Sequence, residues 1–374
     1  MATYGTVNAE NITSSTGGVI SPNITSLRNR IINGAMNVNQ YGFASATANI
    51  NGVLYFIDRF IGFGNQAGKF TMLPNLNGVS PPTGFTNYAG AQSSSAYTLA
   101  ATDIFTLGQN IEGLNITDLG WGTSSAKTVT LSFWAYSSLT GTFGGSLRNN
   151  GGGRSYPFNY SIPSANTWTY VSITIPGDTS GTWLTTNGIG IIFALGLGVG
   201  TTYSGTAGAW ASANYASSTG AVSVVSTNNA TFYITGVQLE VGTQATSFDY
   251  RPYGTELALC QRYCLNVNSA NCNGSYNRYA YGECNSTTQI TADVFFPVQM
   301  RTYPALTTPA ASQFCIYTKA TINAGSAIAI GADGTNINAA CVNVTTGNTV
   351  VLGNAGAIMS NGNNTSYLLF TAEL

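Results

Sequence analysis

Asp103, Glu112 and Asp118 are the first residues in the chain whose type and spacing suit chemistry, because a glycoside-cleaving site needs two carboxylates about 5 to 10 Å apart across a cleft. The chain contains no histidine, which removes the commonest general base, the commonest metal ligand and the usual charge switch near neutral pH. Any catalysis must then rest on carboxylates, Tyr, Lys or Cys. Loop carboxylates of a β protein also serve backbone hydrogen bonds or a structural Ca²⁺, and this spacing matches no EF-hand loop. We therefore expect no enzyme activity and assign no catalytic residue. No cofactor is expected, a structural Ca²⁺ being the one alternative left open.

Aromatic side chains offer a different chemistry. A sugar ring stacks its C–H face on Trp or Tyr while Asn, Asp and Gln bind its hydroxyls. Trp121, Trp183, Trp210 and Tyr203 lie beside Gly-rich stretches and are the glycan-binding candidates, with residues 178–215 the favoured region because their Gly, Ser and Thr loops resemble adaptable paratope chemistry. The competing reading makes each of them a core or loop anchor. Trp134 and Trp168 lie inside strand-like runs and read as structural. Asp58–Arg59 and Asp249–Arg251 each set opposite charges side by side, which reads as an ion pair fixing strand ends at a domain seam. The cysteines run Cys260, Cys264, Cys272, Cys284, Cys315 and Cys341, with no C-x-x-C pair and no histidine, so the spacing gives a zinc site little support and buried free thiols are expected.

The elements that must position these groups are strands. Runs rich in Val, Ile, Thr, Phe, Tyr and Trp alternate with Gly, Asn, Pro and Ser clusters at roughly ten-residue intervals. In 128–136 (TVTLSFWAY), Val129, Leu131, Phe133 and Ala135 fall on one face, with Thr128, Thr130, Ser132 and Trp134 on the other. Further strands are read at 168–175, 230–239, 290–298 and 367–372, and a loop at 149–153 (NNGGG). One helix is expected over 255–264 (TELALCQRYC), capped by Thr255 and presenting Leu257, Cys260, Gln261 and Cys264 on one face.

The 374 residues suffice for more than one core, while only 7% are charged, against roughly 25% in ordinary soluble domains. The 12 basic and 13 acidic residues are scattered singly, giving a net charge of −1 and no basic stripe for nucleic acid. No apolar run reaches the roughly 20 residues of a membrane span, and the start lacks the pattern of a signal peptide. So few charges suit a subunit whose surface is covered by copies of itself. The fold expected is all-β: a jelly-roll β-sandwich over 31–250, a linker with a short helix over 251–264, and a smaller C-terminal β-sandwich domain over 265–374. Residues 1–30 lack the apolar content for a core and are expected to dock or trimerise.

Four segments resemble phage tail-fibre and minor virion structural proteins: 29–40 (NRIINGAMNVNQ) with 55–60 (YFIDRF), then 113–136, 235–263 (TGVQLEVGTQATSFDYRPYGTELALCQRY) and 367–374 (YLLFTAEL). The resemblance implies a sandwich of carbohydrate-binding-module type, a small C-terminal β domain and trimeric assembly on the virion after synthesis in the host cytoplasm. The expected partners are a homotrimer of self, other virion proteins through residues 1–30, and host cell-surface polysaccharide, without nucleic acid or membrane insertion. A purely structural head-decoration or tail protein and a surface polysaccharide depolymerase are the alternatives. The cysteines are unlike the family, so no disulfide pairing follows from it.

Overall fold

The computed structural model describes residues 28–42, 51–270, 275–319 and 321–374, together with the paired backbone of Ile12–Thr13 and Val19–Ile20. The expected docking or trimerising role of residues 1–30 and the sixth cysteine, Cys272, therefore fall almost wholly outside the described residues. Arg28–Arg30, which are described, belong to the sandwich: the buried Asn29 donates to the Val237 carbonyl (2.9 Å) and accepts from the Ile31 and Leu239 N–H groups.

Two antiparallel sheets form the first body. The strands are β1 (Gly52–Ile57), β2 (Phe60–Gly64), β3 (Phe70–Pro74), β4 (Ala89–Ser93), β5 (Ile104–Glu112), β6 (Val129–Ser137), β7 (Gly141–Arg148), β8 (Ser155–Ile162), β9 (Thr169–Ile175), β10 (Ile189–Val199) and β11 (Thr231–Val241). One sheet runs β8-β7-β10-β5-β2-β1 and the other β9-β6-β11-β4-β3. The alternation read in 128–136 sets the packing. Val129, Leu131, Phe133 and Ala135 are fully buried between the sheets, where they meet Phe60, Phe105, Phe143, Phe193 and Phe232. Sheet-on-sheet packing of this kind is what period-two strands with one apolar face must do.

The helix α1 spans Tyr253–Gln261, begins at Pro252 with no side-chain cap, and carries Glu256 in its first turn. Thr255 thus sits inside the helix rather than capping it, because Pro252 already fixes the chain direction at the entrance. Cys264 leaves the helix to open β12 (Cys264–Asn268), while Cys260 is buried against Ile32, Val38 and Tyr263. Beyond it come β13 (Arg278–Glu283), β14 (Gln289–Phe295), β15 (Ala305–Thr307), β16 (Phe314–Thr318), β17 (Thr321–Ile330), β18 (Ala339–Thr346), β19 (Ala355–Ser360) and β20 (Tyr367–Thr371). Strands β12-β20-β15 make a small sheet, and β13-β14-β18-β17-β16-β19 close into a barrel around Ile290, Phe314, Ile316, Val342 and Ile358. A second open sandwich was the expectation for this region. The barrel replaces it because β13 and β19 pair with each other as well as with their other neighbours, leaving no free edge. Cys260, Cys264, Cys284, Cys315 and Cys341 are buried free thiols.

Candidate functional site

The charged residues do not stand where their sequence neighbours suggest. Asp58 and Arg59 form the two-residue turn between β1 and β2, with Arg59 at φ 68°, and their side chains reach different partners. Asp58 accepts from the N–H (2.5 Å) and side-chain amide (2.6 Å) of Gln40. Arg59, 1% exposed, pairs with Glu373 and donates to the Asn110 carbonyl (2.5 Å), while its guanidinium lies 3.6 Å from the centre of the Tyr263 ring. Nearby, Arg262 grips Glu112 with two hydrogen bonds of 2.6 and 2.9 Å, and the Tyr263 hydroxyl donates to the same carboxylate. Arg301 donates to the carbonyls of Ala372 (2.7 Å) and Glu373 (2.5 Å), and Arg251 pairs with Glu256 at 3.0 Å. Asp249 does not pair with Arg251; its carboxylate receives the Arg28 and Asn29 N–H groups. The expected ion pairs within Asp58–Arg59 and within Asp249–Arg251 are therefore corrected. Arg59 and Asp249 reach partners 314 and 221 residues away, whereas Asp58 is held by Gln40, 18 residues before it, and Arg251 by Glu256, five residues after it.

Burial sets the proton affinities in this seam. It pushes the Asp58 carboxyl up to about 6, against the two Gln40 hydrogen bonds that favour its charge. It also raises Glu373, which Arg59 opposes. For Glu112 burial acts upward as well, but the Arg262 and Tyr263 hydrogen bonds outweigh it and the carboxyl ends below its ordinary value. The Cys260 and Cys264 thiols are driven far up by burial, so neither is a thiolate nucleophile.

Of the three carboxylates singled out for acid–base work, Asp103 lies at the far end of a strand from Glu112, and all three have partners within the fold. Asp103 and Glu112 bracket the length of β5, some 25 to 30 Å at ~3.3 Å per residue. Asp103 accepts from the Ala100 N–H (2.7 Å) and the Tyr97 hydroxyl (2.9 Å), Glu112 is held by Arg262, and Asp118 pairs with Arg30 at 2.7 Å. Each is employed structurally. Among the described residues no group of three or more His, Cys, Asp or Glu side chains is arranged to hold a metal ion.

Three of the four aromatic candidates do come together. Trp121, Trp183 and Trp210 form an edge-to-face triad with ring centres 4.7, 5.3 and 5.5 Å apart. Their indole N–H groups are spent on the carbonyls of Lys127, Ser180 and Pro176. Trp121 and Trp183 are 6% and 7% exposed, so their faces cannot receive a sugar; the triad ties three loops into one unit, and the exposed-platform expectation is corrected for these two. Trp210 is half-buried against Tyr156, and Tyr203 stands half-buried in the turn Thr201–Tyr203.

An open aromatic groove lies elsewhere, on the outer face of the β9-β6-β11 sheet. Trp134 and Tyr170 are direct cross-strand neighbours with ring centres 5.3 Å apart and form one wall. Phe85, Phe248 and Tyr250, mutually packed at 4.8 to 5.7 Å, form the other. Ser132, Gly236, Thr246 and Ser247 line the space between, about 440 Å³ in volume. Gly236 sits at an irregularity in β11 with φ 61°, and a side chain there would come 2.6 Å from the Phe85 ring, so only glycine lets that wall close on the strand. Tyr170 and Tyr250 are 47% and 57% exposed. The strand alternation sets Trp134 on the face opposite the core, but the sequence reading took Trp134 as structural and named none of Phe85, Tyr170, Phe248 and Tyr250, so the groove itself was not anticipated.

Fold and site together define an all-β protein: an antiparallel two-sheet β-sandwich followed by a short helix and a small closed β-barrel. No family model matches the chain, and neither does any curated protein. Among solved structures it is similar to the enzymatically active domain of tailspike protein 4 of bacteriophage CBA120, at 14% identity and a TM-score of 0.30 over 57% of this chain, spanning only 21% of that one. It is also similar to a family 61 carbohydrate-binding module in complex with β-1,4-galactotriose, at 11% identity and a TM-score of 0.28 over 58% of this chain and 100% of that one. A family 11 module from Clostridium thermocellum in complex with a β-1,3-1,4-mixed-linked tetrasaccharide matches at 13% identity and a TM-score of 0.25, over 54% of this chain and 96% of that one.

Proposed function

We propose that the protein is a phage virion appendage subunit that adsorbs to host surface glycan, acting by binding and not by catalysis. The observation that carries the reading is the open groove of Trp134, Tyr170, Phe85, Phe248 and Tyr250, whose ring faces and flanking Ser and Thr hydroxyls suit the two sides of a sugar. Its lining holds no ionisable acid or base other than tyrosine, which suits recognition of a neutral chain and not hydrolysis. The virion role and homotrimer rest on the tail-fibre resemblance and the low charge. In that assembly weak single contacts multiply into firm adsorption through effective concentration.

Purified full-length protein is to be screened on a glycan array and on host-derived polysaccharide, alongside Tyr170→Ala and Trp134→Ala. We expect retention by at least one polysaccharide and a loss of about 1–3 kcal/mol per removed ring, the scale of an interfacial aromatic anchor. Binding by neither array nor polysaccharide, or full retention in both variants, refutes the groove. New reducing ends appearing in the polysaccharide would replace adsorption with depolymerisation.

A further inference from the structure

A second cleft lies at the seam. It opens between β1 of the sandwich and the small sheet β12-β20-β15, with a volume of about 550 Å³ against the groove's 440 Å³. One wall is Tyr41, Val53 and Tyr55, the two tyrosine rings stacked at 6.3 Å. The other is one face of the small sheet, where Ala305 stands opposite Thr371 and Thr307 opposite Leu369. Tyr303, 63% exposed, extends that wall.

The seam holds these walls at a fixed spacing. From the sandwich side the Tyr41 hydroxyl donates to Glu373 (3.1 Å), the Tyr55 hydroxyl donates to the Leu374 carbonyl, and Arg59 pairs with Glu373. A cleft built in advance costs its ligand little ordering on entry. The volume is more than three times the cavity of about 150 Å³ that takes one benzene-sized ring. It falls within the range of about 300–1,000 Å³ typical of ligand sites, which favour joints between domains.

The lining offers two kinds of group. Val53, Leu369 and the Tyr303 ring supply apolar surface. Thr302, Thr307 and Thr371 are each at least partly exposed, and their hydroxyls make no hydrogen bond among the described residues. Glu373, the one carboxylate in the lining, is already tied to Arg59.

We propose that this cleft is a second binding site, which takes about two or three units of an uncharged oligosaccharide laid between the sandwich and the small sheet. Sugar C–H faces rest on Tyr303, Val53 and Leu369, and sugar hydroxyls meet the threonines. A lipid would strip water from those hydroxyls without replacing it, and a charged chain would find no free counter-charge. The cleft shares no residue with the aromatic groove, so either site can fail alone.

The test titrates full-length protein carrying Trp134→Ala and Tyr170→Ala, which silence the groove, with neutral trisaccharides of gluco, galacto, manno and xylo configuration, read by calorimetry. In this background Tyr303→Ala removes the exposed ring, Ala305→Trp fills the cleft, and Thr371→Val removes one hydroxyl at nearly constant shape. At least one trisaccharide should bind with a Kd of about 1 mM or tighter. That affinity should fall about tenfold in Tyr303→Ala and about threefold in Thr371→Val, and binding should be lost in Ala305→Trp. Tyr303 and Ala305 are exposed, so neither substitution disturbs a core, and Tyr303→Ala decides alone if Ala305→Trp does not fold. No binding up to about 10 mM in the groove-silenced protein overturns the proposal, whatever the parent protein binds. So does unchanged affinity in Tyr303→Ala.

Discussion

Replacing Arg59 by Met would remove the one cation facing Glu373 while keeping most of the side-chain volume. Arg59 is 1% exposed and Glu373 7% exposed, so the carboxylate left behind would be neither paired nor hydrated. Breaking a buried pair at one end costs about 3–5 kcal/mol. Loss of the hydrogen bond to the Asn110 carbonyl adds about 1–3 kcal/mol. The Tyr41 hydroxyl still donates to Glu373 at 3.1 Å and relieves part of this, so about 4 kcal/mol is expected at pH 7.5. The pair joins the turn before β2 to the residue that follows β20 by two, so the loss should appear as separation of one denaturant transition into two.

The acid limb fixes the sign. Burial already raises the Glu373 carboxyl and Arg59 opposes that rise, so the variant carries a higher value still. An acid whose folded value lies above its unfolded one takes up a proton on folding, and its contribution to stability falls as pH rises through the interval between them. The gap between variant and wild type should therefore narrow from pH 7.5 toward pH 5. Arg59→Met with Glu373→Leu, an apolar replacement of both partners, should recover most of the loss. Denaturant titrations of the three proteins at both pH values check this. A single variant within about 0.5 kcal/mol of wild type, or a double variant no better than the single, refutes the reasoning.

Three further outcomes are expected. Asp58, raised to about 6, makes the same kind of proton uptake, so its contribution to wild-type stability should increase by about 1.3 kcal/mol as pH falls from about 7 to 5, and Asp58→Asn should flatten that slope in denaturant titrations. Gly34→Ala would place a carbon 2.1 Å from the Val237 carbonyl oxygen and should lower the melting temperature by several degrees in calorimetry, through displacement of the 28–40 segment from β11. The buried thiols at Cys260, Cys264 and Cys315, all with raised proton affinity, should react with a thiol reagent only in denaturant, and modification at native rates would refute their burial.

Strands were legible because period-two burial is a local property. Val129 to Ala135 and the run ending at Ile175 carry their facing in their own spelling, and the observed strands begin and end within a residue or two of the reading. The helix was legible except at its ends, where Pro252 and the start of β12 decide. Arg59 shows what was not: its ionic partner lies 314 residues away, and in a two-residue turn adjacent side chains diverge, so adjacency in sequence was the wrong guide. Trp121 and Trp183 were misread for a related reason. Both sit beside flexible-looking residues, and only the meeting of three loops, with Trp210 as the third ring, buries them. Trp134 was read as structural because one strand's spelling does not show what covers its outer face: two residues on, Tyr136 packs there with Trp168 and Tyr233, while Trp134 lines the open groove.

The seam also determines what is left for the outside. Asp58, Arg59, Glu112, Arg251, Glu256, Arg262, Arg301 and Glu373 are eight of the chain's 12 basic and 13 acidic residues, and they serve internal joints. Dissolved ions screen exposed charges over about 8–10 Å but hardly reach buried ones. A molecule that spends its ions as fasteners should therefore fold, and hold a neutral ligand, almost equally well in dilute and in concentrated salt.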